Sequence, residues 1–188
     1  VDLDAATGRG SNWGFIQEIL RNSRADVQVG GGLRDAEMVN DTLGAGARYV
    51  VLGTRALQGL DWLAEMATDY PDQIILAADV RDRRVAVSGW SRTVPMDAID
   101  LVGEANDMPL AAILLTAIDR EGHLDGPDLA LVDDVVEAAN IPVLAAGGIA
   151  TLAHLRALED GGVAGAVIGT ALYAGTLSPL VVAGEYPS

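Results

Sequence analysis

Two pairs of glycine motifs recur in this chain at one fixed spacing. Gly31 and Gly32 precede Gly147 and Gly148 by 116 residues, and Gly53 and Thr54 precede Gly169 and Thr170 by the same 116. An offset that holds over two separate motifs indicates an internal duplication. Each motif closes a short apolar run: Val27-Gln-Val29, Tyr49-Val-Val-Leu52, Val143-Leu-Ala-Ala146 and Gly165-Ala-Val-Ile168. Such runs predict buried parallel strands, each with a loop of bare backbone amides at its carboxyl end. Glycine lets a bound group approach the main chain, and amides ahead of a helix suit an anion such as phosphate. A single motif of this kind is equally well a tight turn. Two equivalent cradles would suit a ligand with a phosphate at each end.

The composition narrows the chemistry. The chain has 188 residues, half of them hydrophobic, which is enough for one sizeable core. No apolar run reaches the roughly 18 residues of a membrane span, and no secretory leader is evident. The absence of cysteine fits a cytoplasmic protein and excludes thiol nucleophiles and zinc-thiolate sites. A formal charge of -15 argues against a nucleic-acid partner and predicts a solvated acidic surface. All 12 Lys-plus-Arg positions are arginine, so Schiff-base lysine chemistry and a P-loop lysine are excluded. With only His123 and His154, no histidine-rich metal site is expected. Acid–base work falls to carboxylates.

Read in order, Val1 to Asp4 predicts the end of a strand. An amphipathic helix follows from Trp13 to Arg21, with Phe15, Ile16, Ile19 and Leu20 on one side. Strand Val27 to Val29, a helix over Ala36 to Gly44, strand Tyr49 to Leu52, a helix over Leu60 to Asp69 and strand Ile74 to Asp79 come next. This alternation predicts parallel βα units. The rhythm breaks over Val80 to Trp90, where Val85-Ala-Val-Ser-Gly-Trp90 predicts a small hairpin inserted in a βα loop. A helix near Asp97 to Asn106, strand Ala111 to Leu115, a polar loop over Thr116 to Asp128, a helix over Leu129 to Asn140, the second motif pair and a helical stretch near Leu177 to Val182 complete one domain. The count is seven strands. A (βα)8 TIM barrel needs eight and takes about 250 residues. The repeat places the partner of the Asp79 strand upstream of Val1, so the expectation is a duplicated half-barrel without its first βα unit, a fragment of a longer enzyme.

The combination of Val1-Asp-Leu-Asp-Ala-Ala6, Val29-Gly-Gly-Gly-Leu-Arg34, Leu52-Gly-Thr-Arg-Ala-Leu57, Asp79-Val-Arg81, Val85-Ala-Val-Ser-Gly-Trp90, Ala145-Ala-Gly-Gly-Ile149 and Val167-Ile-Gly-Thr-Ala-Leu-Tyr173 resembles the phosphoribosylformimino-aminoimidazole carboxamide ribotide isomerases of histidine biosynthesis. That resemblance covers nearly the whole chain. It implies a half-barrel duplication and a cofactor-free Amadori rearrangement of an aldose ribotide that bears two phosphates. A carboxylic acid protonates the furanose oxygen, and a carboxylate removes the C2 proton. It further implies a cytoplasmic enzyme, monomeric if its barrel is complete, with no membrane partner.

By the same resemblance Asp79 matches the family's general acid, although an ordinary strand-end aspartate would look the same. Thr116 matches a position that bonds the reacting sugar, and Trp90 a loop tryptophan that covers the substrate base; local loop bonding and core packing are their respective alternatives. Gly31, Gly32, Arg34, Gly53, Thr54, Gly122, Gly147, Gly148, Gly169 and Thr170 match the substrate and phosphate loops. The family's first catalytic aspartate has no counterpart here, and Asp2 and Asp4 read as supporting groups. The loop Thr116-Ala-Ile-Asp-Arg-Glu-Gly-His-Leu124 departs from the family: Ala117 and Glu121 stand for aspartates and His123 for threonine. Glu121 keeps the charge and can still serve the sugar. His123 is expected to face water rather than phosphate. The loop is similar to that of the cyclase acting next in the pathway, but the Gly-Thr motifs and Asp79-Val-Arg81 favour the isomerase. A dual-substrate relative that also isomerises phosphoribosylanthranilate tends to carry arginine where Ser88 stands, which leans toward the single-substrate enzyme. A non-catalytic phospho-ligand-binding remnant of the barrel is the remaining alternative.

Overall fold

The computed structural model describes residues 1–87, 90 and 92–186. The first half of the chain gives α1 (Leu3–Thr7), α2 (Trp13–Asn22), β1 (Gln28–Gly30), α3 (Ala36–Gly44), β2 (Tyr49–Leu52), α4 (Thr54–Leu57) and α5 (Leu60–Asp69). The centre gives β3 (Ile74–Arg81), β4 (Arg84–Val87), β5 (Arg92–Asp97), α6 (Ala98–Ala105), β6 (Ala112–Ala117) and the 3-10 turn Ile118–Arg120. The last part gives α7 (Leu129–Ala138), β7 (Val143–Ala146), α8 (Leu152–Asp160), β8 (Gly165–Val167), α9 (Thr170–Ala174) and α10 (Pro179–Glu185).

Among the described residues six strands form one parallel sheet in the order β1-β2-β3-β6-β7-β8, an α/β arrangement of TIM-barrel type. The two central strands are the most thoroughly covered: Ile74, Ile75, Leu76, Ile113 and Leu115 are almost inaccessible to solvent. Leu63 and Met66 from α5, Leu101 from α6, Val135 from α7 and Leu158 from α8 pack over them. This explains their near-continuous apolar sequences, because a parallel strand is buried on both faces. No helix among the described residues is long and apolar enough to cross a membrane.

The duplication is visible in the backbone. α2 and α7 begin 116 residues apart and end 116 apart, as do α3 and α8. Gly31 and Gly147 both have φ 102°, and Gly32 and Gly148 have φ 76° and 75°. Gly53 and Gly169 open α4 and α9 with nearly the same angles, φ -114° and -108°. Matching dihedrals at three equivalent positions in each half are what two copies of one structural unit give.

The start of the chain differs from expectation. Val1 to Asp4 is not a strand end; the sheet has six parallel strands among the described residues, not seven. Asp2 instead caps α1, its Oδ1 accepting from the Ala5 amide at 3.0 Å, and this bond turns the chain into a helix. One sheet-like bond survives, from the Asp2 amide to the Gly30 carbonyl at 2.8 Å. In α2 only Leu20 is buried and Ile16 partly so, against the small cluster of Val29 and Ala47; Phe15 and Ile19 are 69% and 56% exposed. The insert after Asp79 is larger than the predicted hairpin. β3 continues to Arg81, pairs antiparallel with β4, and β4 pairs with β5. Ser88 lies outside the described residues.

Candidate active site

The strand order places a polar pair at the middle of the sheet. Asp79 near the end of β3 and Thr116 on β6 are register partners, and the Thr116 side chain favours the charged form of the carboxylate. On the same carboxylate, Trp90 Nε1 donates to Asp79 Oδ2 at 2.8 Å. Burial among the apolar strand ends pushes the Asp79 pKa above the ordinary aspartate value, and the Trp90 bond and the Thr116 side chain pull against it without cancelling it. A carboxyl that holds its proton more tightly than usual, at the open end of a parallel sheet, has the character of a general acid. Trp90 is 38% exposed and engaged with Asp79, so it is not a core residue.

A glycine-loop pair flanks the acid on each side. On one side β7 and β8 run into a small cavity of about 50 Å³ whose lining includes Glu121, Gly122, Gly147, Gly148, Gly169 and Thr170. Six of the residues singled out in the sequence thus converge on one space. Its size suits a group such as phosphate rather than a base. Thr151 caps α8 by accepting from the His154 amide at 3.2 Å, which fixes the helix that begins just behind Gly148. On the other side β1 and β2 lead into Gly31, Gly32, Gly53 and Thr54.

Both inner glycines of each pair are required by contact as well as by conformation. A Cβ on Gly148 would collide with the Gly126 carbonyl oxygen, and one on Gly147 would lie 2.6 Å from the Ala117 carbonyl oxygen. In the first half a Cβ on Gly31 would collide with the Asp2 backbone, and one on Gly32 would lie 2.5 Å from the Ala5 Cβ. The first glycine loop is therefore clamped onto the Asp2 and Ala5 backbone region, and the second onto Ala117 and Gly126 of the β6 loop.

The remaining candidates fall into place differently. Arg34 donates through Nη2 to the Ala5 carbonyl at 2.9 Å, so its guanidinium ties the first glycine loop to α1. Asp2 and Asp4 are supporting groups: the Asn12 amide donates to Asp2 Oδ2 at 2.7 Å, and the Asn12 side chain donates to Asp2 Oδ1 and Asp4 Oδ2, each at 3.0 Å. Bonds from the Ala5 and Asn12 amides hold the Asp2 pKa below the ordinary value. His123 is exposed. Leu124, which also lines the cavity, escapes a reading by residue type, yet it holds the left-handed φ of 60° where the other half has Gly8 at 72°. The repeat register is the signal that would have found it.

Comparison with known proteins agrees with this geometry. The profile of the histidine biosynthesis protein family matches residues 1–178. A protein of Gemmatimonas aurantiaca, named 1-(5-phosphoribosyl)-5-((5-phosphoribosylamino)methylideneamino)imidazole-4-carboxamide isomerase, is 50% identical over 99% of this chain and 78% of its own length. Proteins of the same name from Myxococcus xanthus and Halobacterium salinarum are each 41% identical, over 99% and 95% of this chain and 79% and 74% of their own lengths. With an acid at the centre of the sheet, duplicated glycine loops on both flanks and this coverage by relatives, the chain belongs to the histidine biosynthesis protein family, among its carboxamide ribotide isomerases.

Proposed function

We propose that this chain performs the reaction for which its relatives are named, the aldose-to-ketose rearrangement of the doubly phosphoribosylated imidazole carboxamide. The observation that carries the proposal is the placement of Asp79 and Thr116 on the two central strands, between glycine-loop pairs related by the repeat. A ligand with a phosphate at each end would span the sheet mouth with its reacting ribose over Asp79. Protonated Asp79 donates to the furanose oxygen, and the ring opens to a Schiff base. Thr116 and Glu121 bond the sugar hydroxyls; a second carboxylate, the one that the family resemblance requires, takes the C2 proton, and protonation of the resulting enaminol at C1 gives the ketose. Asp2 is not a candidate for the base, since the Ala5 and Asn12 amides already occupy its two oxygens; Asp4 is a supporting group bonded to the Asn12 side chain.

The same reading takes the parallel sheet as part of the family's duplicated (βα)8 barrel in a single domain, and the enzyme as cytoplasmic, independent of cofactors and, where its barrel is complete, monomeric. Gly31, Gly32, Gly53 and Thr54 would hold one phosphate, and Gly122, Gly147, Gly148, Gly169 and Thr170 the other. The test is turnover of the bisphosphorylated ribotide alongside calorimetric binding. Asp79→Asn is expected to abolish turnover and retain binding. Undiminished turnover would overturn the role of Asp79, and binding without turnover in the unmodified protein would favour a phospho-ligand-binding remnant.

A further inference from the structure

Trp90 reaches Asp79 from an inserted hairpin, and the hairpin is held by groups that the proposed reaction leaves unused. Arg81 Nη1 donates to the Trp90 carbonyl at 3.4 Å. On its other side Arg81 Nε pairs with Asp119 Oδ1 at 3.4 Å, and the second oxygen of Asp119 accepts from the Asp82 amide at 3.4 Å. Asp82 and Arg83, which form the two-residue turn between β3 and β4, both have left-handed backbones, φ 48° and 65°. Neither is glycine, so this turn is conformationally costly and needs outside support. Asp119 provides it from the β6 loop, and Asp134 of α7 adds a 2.7 Å ion pair to Arg83. Trp90 is itself left-handed, φ 68°. Its backbone is fixed where an unrestrained tryptophan would not rest.

We propose that Arg81, oriented by Asp119, is a positioning residue that holds the Trp90 backbone so that the indole N–H is delivered to Asp79. This rests on the assignment of Asp79 as the acid. The indole N–H is a donor only, so it favours the charged carboxylate, and the restraint on Trp90 sets how readily Asp79 gives up its proton. The charged groups on elements packed about Asp79 include Arg81, Asp82, Arg83 and Arg84 of β3, β4 and their turn, Arg92 and Asp97 of β5, and Asp119, Arg120 and Glu121 of the β6 loop. Among them Arg81 alone bonds both Asp119 and the Trp90 carbonyl. Asp119 is thereby tied to the acid without touching it.

The alkaline limb of the kcat/KM profile with the bisphosphorylated ribotide reads the free-enzyme acid. In Trp90→Phe the limb is expected to move upward, so that kcat/KM on the limb, relative to its plateau, rises several-fold. Arg81→Ala and the isosteric Asp119→Asn are expected to move it in the same direction. An Arg81 that acted only by its charge through space would raise the acid's pKa in Arg81→Ala as well, so the double variant Arg81→Ala/Trp90→Phe decides between the two routes. If Arg81 acts through Trp90, the double variant matches Trp90→Phe. A further shift in the double variant overturns the proposal, as does a limb left in place by both Arg81→Ala and Asp119→Asn, or by Trp90→Phe. Turnover persisting in Asp79→Asn is a separate outcome, which removes the acid assignment itself.

Discussion

Asp79 and Thr116 are register partners across the parallel β3–β6 pair at the mouth of the sheet, and the Thr116 side chain acts on the Asp79 carboxyl. In a parallel pair, register fixes which strand-end groups can meet, so this contact follows from the alignment of Ile75 with Ala112 further down the same two strands. The Thr116 hydroxyl favours the ionised Asp79 against the burial that disfavours it. Thr116→Val keeps the shape and removes the hydroxyl. The expected result is a further rise in the acid's pKa, seen as an upward move of the alkaline limb of kcat/KM, and a fall in kcat of roughly tenfold for one lost hydrogen bond of about 1.4 kcal/mol. Steady-state kinetics across pH measure both.

Burial of Asp79 also has a stability signature. Its folded-state pKa is raised, so between the ordinary value near 3.8 and the folded value the native protein binds more protons than the unfolded chain. Stability therefore falls as pH rises through that window, and above it the full cost of the buried charge is present. Asp79→Asn removes this cost while still offering an oxygen to the Trp90 indole. The variant is expected to melt above the wild type at pH 7, by about 2–4 °C for each kcal/mol recovered, and the difference should vanish below the ordinary aspartate pKa. Thermal unfolding at pH 7 and at about pH 3 provides the comparison.

The glycine loops and most helix bounds could be read from sequence because their causes are local. A residue at φ near 102° is almost obliged to be glycine, so Gly31 and Gly147 betray the backbone of both halves. Val1 to Asp4 misleads for an equally local reason: its alternation of apolar and acidic residues has strand periodicity, while the Asp2 cap that makes it helical depends on which amide the carboxylate meets. β5 is hidden by Pro95, which is tolerated because β5 pairs on one side only, with β4. The Trp90–Asp79 bond, the Asp119–Arg81 pair and the outward turn of Phe15 and Ile19 depend on how distant segments come together. No residue type announces them.

The clamped loops predict a graded set of glycine substitutions. At Gly148, φ 75°, an added Cβ meets the Gly126 carbonyl oxygen, a backbone atom that cannot swing away. At Gly175, φ 72°, an added Cβ meets nothing within 4 Å. Gly175→Ala should cost about 1–2 kcal/mol, the left-handed penalty alone. Gly148→Ala should cost at least about 2 kcal/mol more, because the β7 loop must also separate from the Gly126 segment. Urea unfolding separates the two. Gly148→Ala should in addition weaken binding of the bisphosphorylated ribotide, whereas Gly175→Ala should not.

Asp2 ties the first glycine loop, α1 and the start of α2 into one unit: its amide donates to the Gly30 carbonyl, and its carboxylate accepts from Ala5 and Asn12. Its pKa is lowered chiefly by the Ala5 amide, then by the Asn12 amide. A lowered folded-state pKa means that the stabilisation is fully present above the ordinary value near 3.8 and is lost as pH falls through the folded value. Asp2→Ala removes the cap of α1 and is expected to cost about 1 kcal/mol at pH 7 from that bond alone. Asn12 loses its anchor at the same time, so α2 should show faster amide exchange in its first turn. Urea unfolding of both proteins from pH 7 down to about pH 2 should show the two stabilities converging at the acid end. If the gap between them stayed constant with pH, the carboxylate charge would have no part in holding this unit together.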